Sequence, residues 1–435
     1  MHIIVQHMNF RKLILFSYTF WCINSISPGI WAKSTISKKL EYADKIYEDH
    51  IKTAYLFQAD EIQASPLYPA AIPLAQVVPL ILKFDDIYTD NADYYKARIV
   101  HCNMLWNPSN LSDMQYLFEY NEFSIDEFEF SIATKVPYTH FTFPIPRVKL
   151  PGNYLLVIYR ENDKDDIILS KRFIVYDQKV KILGNIGLST GVVQRRMNQQ
   201  IQFDVDYSSF PIPNPYLDVH VVLKQNQRWD NAIYDLTPTS IKEEISLLEY
   251  HHFNFENNFK AGNEFRFFDI RSIHYGGRNV ERTTTSDTQV NAYLYFDKSR
   301  ETDPYSLTKD FNGGYIIENS EGRDNELEAD YINVHFFLDL KSQINEDIYI
   351  GGKLTDWRFD KSNKMNYVDV SGLYMGTFLL KQGLYDFAYF IPENLENPNL
   401  IEGNHFETRN EYEIIIYFND QMLHTDVIIG YIKLI

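Results

Sequence analysis

The side chains best equipped for chemistry in this 435-residue chain are its 59 acids and 12 histidines. His251 and His252 form the densest histidine site. Neighbouring side chains on a strand point to opposite faces, so the two cannot easily share a metal ion, and they read as surface or loop residues. Asp85, Asp86, Asp90 and Asp93 gather the hard oxygen ligands that calcium takes. Their spacing is not that of a calcium loop, and the segment reads as a solvated acidic loop. Glycoside hydrolysis requires two carboxylates at a fixed separation, and no pair among the 59 acids stands apart from the rest. The chain has no P-loop, no G-x-G-x-x-G turn and no H-E-x-x-H pair. The expectation is a protein without catalytic, metal or cofactor residues, whose surface performs its function.

The elements that would position any site are strands. Aromatic residues make up 15% of the chain, with 32 Tyr and 30 Phe, and aromatic and β-branched side chains suit pleated, half-buried surfaces. Residues 154–159 are a continuous apolar run of strand length. Residues 167–169 and 172–175 follow a polar turn, as in a hairpin. Ile201, Phe203, Val205 and Tyr207 alternate with Gln202, Asp204 and Asp206, the period of a strand with one wet face. Beyond residue 345, short strands recur at the close spacing of a β-sandwich. The fold class that follows is all-β, as three tandem immunoglobulin-like or β-sandwich units.

The first 32 residues have the order of an export signal: Arg11 and Lys12, then the apolar run 13–23, then Pro28, Gly29 and Ala32. Their removal would delete two positive charges and take the net charge from −18 to −20. The expected boundaries are 1–32 for the signal, 33–178 for the first sandwich, 179–340 for a middle β domain and 341–435 for the last sandwich. Of the two cysteines, Cys22 lies in the signal, which leaves Cys102 without an intrachain partner. The acidic balance disfavours nucleic acid and anionic lipid surfaces. No later segment reaches the ~18 uncharged apolar residues of a membrane helix.

A docking protein concentrates its affinity in a few aromatic and arginine anchors. The candidates are Trp106, Arg228, Trp229, Arg266 and Trp357. Arg266 lies in residues 260–271, where Glu264, Arg266 and Phe268 would share one strand face and suggest a structural ion pair. In the last unit, Gly351-Gly352-Lys353-Leu354-Thr355-Asp356-Trp357 precedes Lys381-Gln382-Gly383-Leu384-Tyr385-Asp386-Phe387. This order resembles the early-set immunoglobulin-like, glycogen-binding modules found beside starch enzymes. The resemblance implies sugar stacking on Trp357. Tyr385 and Phe387 stand where those modules have a second tryptophan.

Several blocks in sequence resemble a second family across nearly the whole chain. They are residues 97–106, residues 118–131, Pro137-Tyr138-Thr139-His140-Phe141, residues 151–157 and residues 171–177. Residues 224–232, residues 262–271, Asp310-Phe311-Asn312-Gly313-Gly314-Tyr315 and Glu328-Ala329-Asp330-Tyr331 follow. Their order is similar to that of the plug proteins of the type IX secretion system of Bacteroidetes-like bacteria. The resemblance implies a non-catalytic periplasmic protein that occludes an outer-membrane translocon barrel from the periplasmic side. Its partner would be that barrel, with no nucleic acid, no membrane span of its own and no cofactor. An exported carbohydrate-binding or glycan-processing sandwich protein is the second reading.

Overall fold

A computed structural model describes residues 38–59, 67–75, 78–87 and 93–435. The expected signal at 1–32 and Asp90 of the acidic loop lie outside the described residues. No described helix is long and apolar enough to cross a membrane. The described structure is all-β.

The first sandwich is built from β1 (Lys45–Ile46), β2 (Ile51–Gln58), β3 (Ala71–Pro73), β4 (Leu80–Asp86), β5 (Tyr95–Cys102), β6 (Phe123–Ile125), β7 (Glu127–Phe130), β8 (Thr139–Pro144), β9 (Gly152–Arg160) and β10 (Ile167–Tyr176). One sheet has the order β1-β10-β9-β5-β6, with β3 alongside β10, and the facing sheet has the order β2-β4-β8-β7. Their inner faces meet in one core, where Phe84 stacks on Phe141 at 4.9 Å beside the edge of Tyr95.

The chain continues through β11 (Lys181–Leu188), β12 (Asn198–Asp206), β13 (Val219–Gln225), β14 (Ile233–Tyr234), β15 (Ser240–Lys242), β16 (Leu247–Tyr250) and β17 (Asn258–Lys260). It then forms β18 (Arg266–Asp269), β19 (Val280–Thr285), β20 (Val290–Leu294), β21 (Asp297–Lys298), β22 (Tyr315–Ile317), β23 (Tyr331–Asp339), β24 (Tyr349–Gly351), β25 (Asn366–Val368), β26 (Leu373–Lys381) and β27 (Gly383–Phe390). It ends with β28 (Tyr412–Asp420) and β29 (Thr425–Leu434).

The pairing of these strands departs from the sequence-based boundaries. β28 pairs along the whole of β13, from Val219 opposite Phe418 to Gln225 opposite Tyr412, and β29 completes the sheet β14-β13-β28-β29. That sheet covers β11-β12-β16-β15, with β17 beside β12, and the two share a core. The second sandwich therefore closes only with the last strands of the chain. The third sandwich, β18 to β27, is inserted between β17 and β28, with β20, β23 and β26 in one sheet and β18, β27 and β22 in the other. Turn spacing locates strands along the chain, but pairing is decided by which strands bury a common face, and the partners here are nearly 200 residues apart.

β9 is buried at every position, and the reason is period two. Tyr154, Leu156 and Ile158 enter the core of the first sandwich, whereas Leu155 and Val157 enter a separate apolar cluster with Val222, Ile415, Tyr417 and Ile428. In β28 the same alternation sends Ile414 and Ile416 inward to the second core and Ile415 and Tyr417 outward. Two sheets thus stand back to back, and the first two sandwiches form a four-layer stack. Tyr417 donates its hydroxyl to Asn153 Oδ1 at 2.8 Å across that seam.

Candidate functional site

The five side chains expected to face a partner are instead buried or half-buried, four of them where the sandwiches meet and Arg266 within the third sandwich. Trp106 is 3% exposed and Trp357 8% exposed. Trp106 meets Trp229 edge-on at 4.9 Å, and the Arg172 guanidinium of β10 lies over both rings, at 4.5 and 5.7 Å. Lys224 Nζ of β13 also lies over Trp229, 4.2 Å from the ring centroid. Arg228, held bidentately by Asp230 at 3.0 and 2.6 Å, lies over Trp357 at 4.7 Å and Phe390 at 5.0 Å. Large aromatics are usually well buried, and here they join three bodies rather than await a fourth. Trp357 therefore has no open face for a sugar ring to stack on.

Arg266 is also internal. It bonds Glu402 through Nε at 2.9 and 3.1 Å and Asp297 through Nη1 at 2.6 Å, and it lies over Tyr389. Its ion pair is structural, as the strand pattern suggests, but its acids come from distant segments and not from Glu264.

A cavity of 80 Å³ marks the point where all three sandwiches converge. Lys171 reaches it from the first, Lys224 and Glu413 from the second, and Lys353, Asp356 and Trp357 from the third. Lys171 binds both oxygens of Asp356 at 2.6 and 2.7 Å, Lys224 pairs with Glu413 at 2.7 Å, and Lys353 donates to Gln227 Oε1 at 2.8 Å. Burial, with Lys171 nearby, lowers the Lys353 pKa to about 8. Lys171–Asp356 ties the first sandwich to the third and Lys353–Gln227 the third to the second, while Lys224 and Glu413 pair within the second, contacts that lock geometry rather than supply a reactive group.

The seam between the first and third sandwiches is polar. Asp85 of β4 accepts from His140 at 2.5 Å, from Lys381 of β26 at 2.7 Å and from the Tyr331 hydroxyl of β23 at 2.7 Å. Lys381 also donates to the Glu326 carbonyl at 2.6 Å and sits 4.1 Å above the Tyr138 ring. Burial pushes the Asp85 pKa up, but the charges of Lys381 and His140 outweigh it and hold it below the usual value. Burial pushes His140 down, yet its bonds to Asp85 and Glu326 leave it raised. Asp85, expected in a solvated acidic loop, is thus a buried ion-pair centre on β4.

The two crossings into the inserted sandwich are clamped together. Asn410 donates to the Ala261 carbonyl at 2.7 Å, Thr408 Oγ1 to the Gly262 carbonyl at 2.9 Å, and Gln199 Nε2 to the carbonyls of Phe406 and Thr408 at 2.7 Å each. Beside them the turn 310–314 brings Asp310 close to Glu264 and Asp386. Gly313 has φ +79°, and a Cβ there would stand 2.4 Å from Trp357 Cη2, so the turn needs a residue without a side chain. Asp386 Oδ2 accepts from the backbone N–H groups of Phe311 and Gly313, while its buried Oδ1 has no hydrogen-bond partner. Burial, and then the neighbouring Asp310, push the Asp386 pKa up to about 8; burial pushes Asp310 up to about 7.

These raised values give a signed pH dependence. The folded state keeps protons that the unfolded chain releases above its ordinary value of 3.8. The stability is fully present below that value and declines as pH rises through about 7 to 8, by at most about 1.4 kcal/mol per pH unit for each group. Asp386→Asn keeps an oxygen for the two N–H groups and removes the ionisation. The variant is expected to melt higher than the wild type at pH 8.5, with a gap that narrows steadily as pH falls toward the unfolded value of 3.8. A gap that does not change with pH, in melts recorded across this range, would contradict the assignment.

The remaining sequence candidates do not converge. His252 is 3% exposed, with Nδ1 3.2 Å from Glu256, whereas His251 pairs with Asp204 at 3.0 Å. Sequence reasoning missed one pattern, Gly187-Leu188-Ser189-Thr190-Gly191, which has the G-x-S-x-G spacing of a nucleophile elbow. Ser189 follows β11 and is 1% exposed, its hydroxyl has no hydrogen-bond partner, and a single 3-10 turn, Gln194–Arg196, follows in place of a helix. Among the described residues no group of three or more His, Cys, Asp or Glu could hold a metal ion.

The comparisons with known proteins match one part of the chain to a family model and most of its fold to a solved structure. Residues 51–177, the first sandwich, match the family described as "Type 9 secretion system plug protein 1st domain". A crystal structure of a hypothetical protein from Parabacteroides merdae is 29% identical and superimposes with a TM-score of 0.85 over 91% of this chain and 100% of that chain. A marsupial T cell receptor aligns at 8% identity and a TM-score of 0.15, over 87% of this chain and 98% of that chain, too low for any argument. No curated protein matches the chain.

Proposed function

We propose, from the premise that the chain belongs through residues 51–177 to the type IX secretion system plug family, that it seals the periplasmic opening of the outer-membrane translocon barrel. The observation supporting this reading is mechanical. Three sandwiches are joined by a buried apolar seam, a buried ion-pair seam and clamped crossings, contacts that favour movement of the described residues as one block. Occlusion requires bulk that does not deform and an interface that can release. It requires no bond chemistry, and the family points to a non-catalytic, periplasmic, envelope-associated role.

The test is electrical. Purified translocon barrel is inserted into a planar bilayer in its open form, and the full chain is added to the periplasmic side. The expected result is a stoichiometric loss of conductance. Undiminished conductance at saturating protein would overturn the proposal.

A further inference from the structure

β7 lies at the edge of its sheet and, among the described residues, pairs on one side only, with β8. Its sequence is Glu127-Phe128-Glu129-Phe130, and all four residues are exposed. The direction of its free backbone groups follows from two hydrogen bonds. Ser131 N–H donates to the Tyr138 carbonyl at 2.9 Å, inward across the hairpin. Ile132 N–H donates to the Leu327 carbonyl at 2.8 Å, outward to the third sandwich. In an antiparallel pair, alternate residues direct both backbone groups to the same neighbour. Glu127 and Glu129 therefore bond β8 as Ser131 does, and Phe128 and Phe130 turn their N–H and C=O groups outward, as Ile132 does.

The side chains divide with the same period. Phe128, Phe130 and Ile132, at 41, 58 and 53% exposure, form one apolar strip, with the two rings edge-on at 5.9 Å. Glu127 and Glu129 lie on the other face. Unprotected edges invite pairing, and paired charges on an edge select what can join it. A second copy of this chain is a poor occupant. Pairing β7 with itself would place four carboxylates on one face, and adjacent like charges repel.

We infer that the outer edge of β7 is a strand-addition site for an extended segment of the translocon barrel that alternates basic and apolar residues. Its basic residues would meet Glu127 and Glu129, its apolar residues would cover Phe128 and Phe130, and its backbone would pair with the outward groups of those two phenylalanines. This assignment of the source rests on the proposed plug function.

Two arms keep the failures distinguishable. In the first, the full chain is mixed with a ten-residue peptide of alternating lysine and valine, and backbone amide exchange is followed by NMR. Exchange at Phe128 and Phe130 is expected to slow at least tenfold. A peptide with glutamate in place of lysine, or the Glu127→Lys/Glu129→Lys chain with an unchanged melting temperature, should abolish the effect. No protection, or protection equal in that chain, overturns the site. In the second arm the purified barrel is titrated with both chains, and the charge-reversed chain is expected to bind at least tenfold more weakly. Equal binding by the two overturns the site while the plug function stands. Failure of the wild-type chain to bind the barrel removes the plug function and with it the barrel as source, and the peptide arm then decides the edge alone.

Discussion

Lys381→Met is expected to lower the unfolding free energy by about 3 to 5 kcal/mol, the usual cost of leaving one partner of a buried ion pair behind. Lys381 and Asp85 are each 1% exposed at the side chain and 2.7 Å apart, so neither can turn to water when the other is removed. The methionine fills the volume above the Tyr138 ring but leaves the Asp85 carboxylate on His140 and Tyr331 alone. The double variant Asp85→Asn/Lys381→Met removes the orphaned charge and should recover more than half of the loss, as buried pairs replaced together often do. Urea unfolding of the four chains measures the cycle. A single-variant loss below about 1 kcal/mol would place this pair with idle surface bridges and deny that the polar seam holds the first and third sandwiches together.

The sequence disclosed the strands and the class, because period-two alternation is written locally. Ile201, Phe203 and Val205 enter the second core as their spacing indicates. It did not disclose why residues 154–159 are apolar throughout. A strand buried on both faces can be the centre of one layered domain or, as here, the seam between two, and local pattern is the same in both cases. Pairing β13 with β28 is equally invisible, because apolar strands of similar length do not name their partners. The site residues failed for a related reason. Trp106, Trp229, Trp357, Arg228 and Arg266 have the chemistry of interface anchors; the first four sit at interfaces inside the molecule, and Arg266 is tied up within the third sandwich. Residue type indicates what contact a side chain can make, whereas burial decides which body supplies it. The edge strand falls inside the family block 118–131, and its four residues, Glu-Phe-Glu-Phe, gain meaning only when one side of the strand is known to be unpaired.

Adjacent residues on β13 separate two kinds of damage and so test the block itself. Val221 and Val222 are both fully buried, Val221 in the core of the second sandwich and Val222 in the seam with the first. An aspartate at either site is an unpaired charge in an apolar interior and is expected to cost about 4 kcal/mol or more. The consequences should differ. Val221→Asp breaks a core, and the second sandwich should lose its native signals outright. Val222→Asp can escape its penalty by parting the seam, which leaves each core intact and lets water reach the carboxylate. Calorimetry should then show two transitions where the wild type is expected to show one, and limited proteolysis should cut the connection at 177–180, which Asp177 and Lys179 tie to β29. A single transition with an unmoved midpoint in Val222→Asp would mean that the seam contributes nothing. The rigid block on which occlusion depends would then be three bodies in contact rather than one.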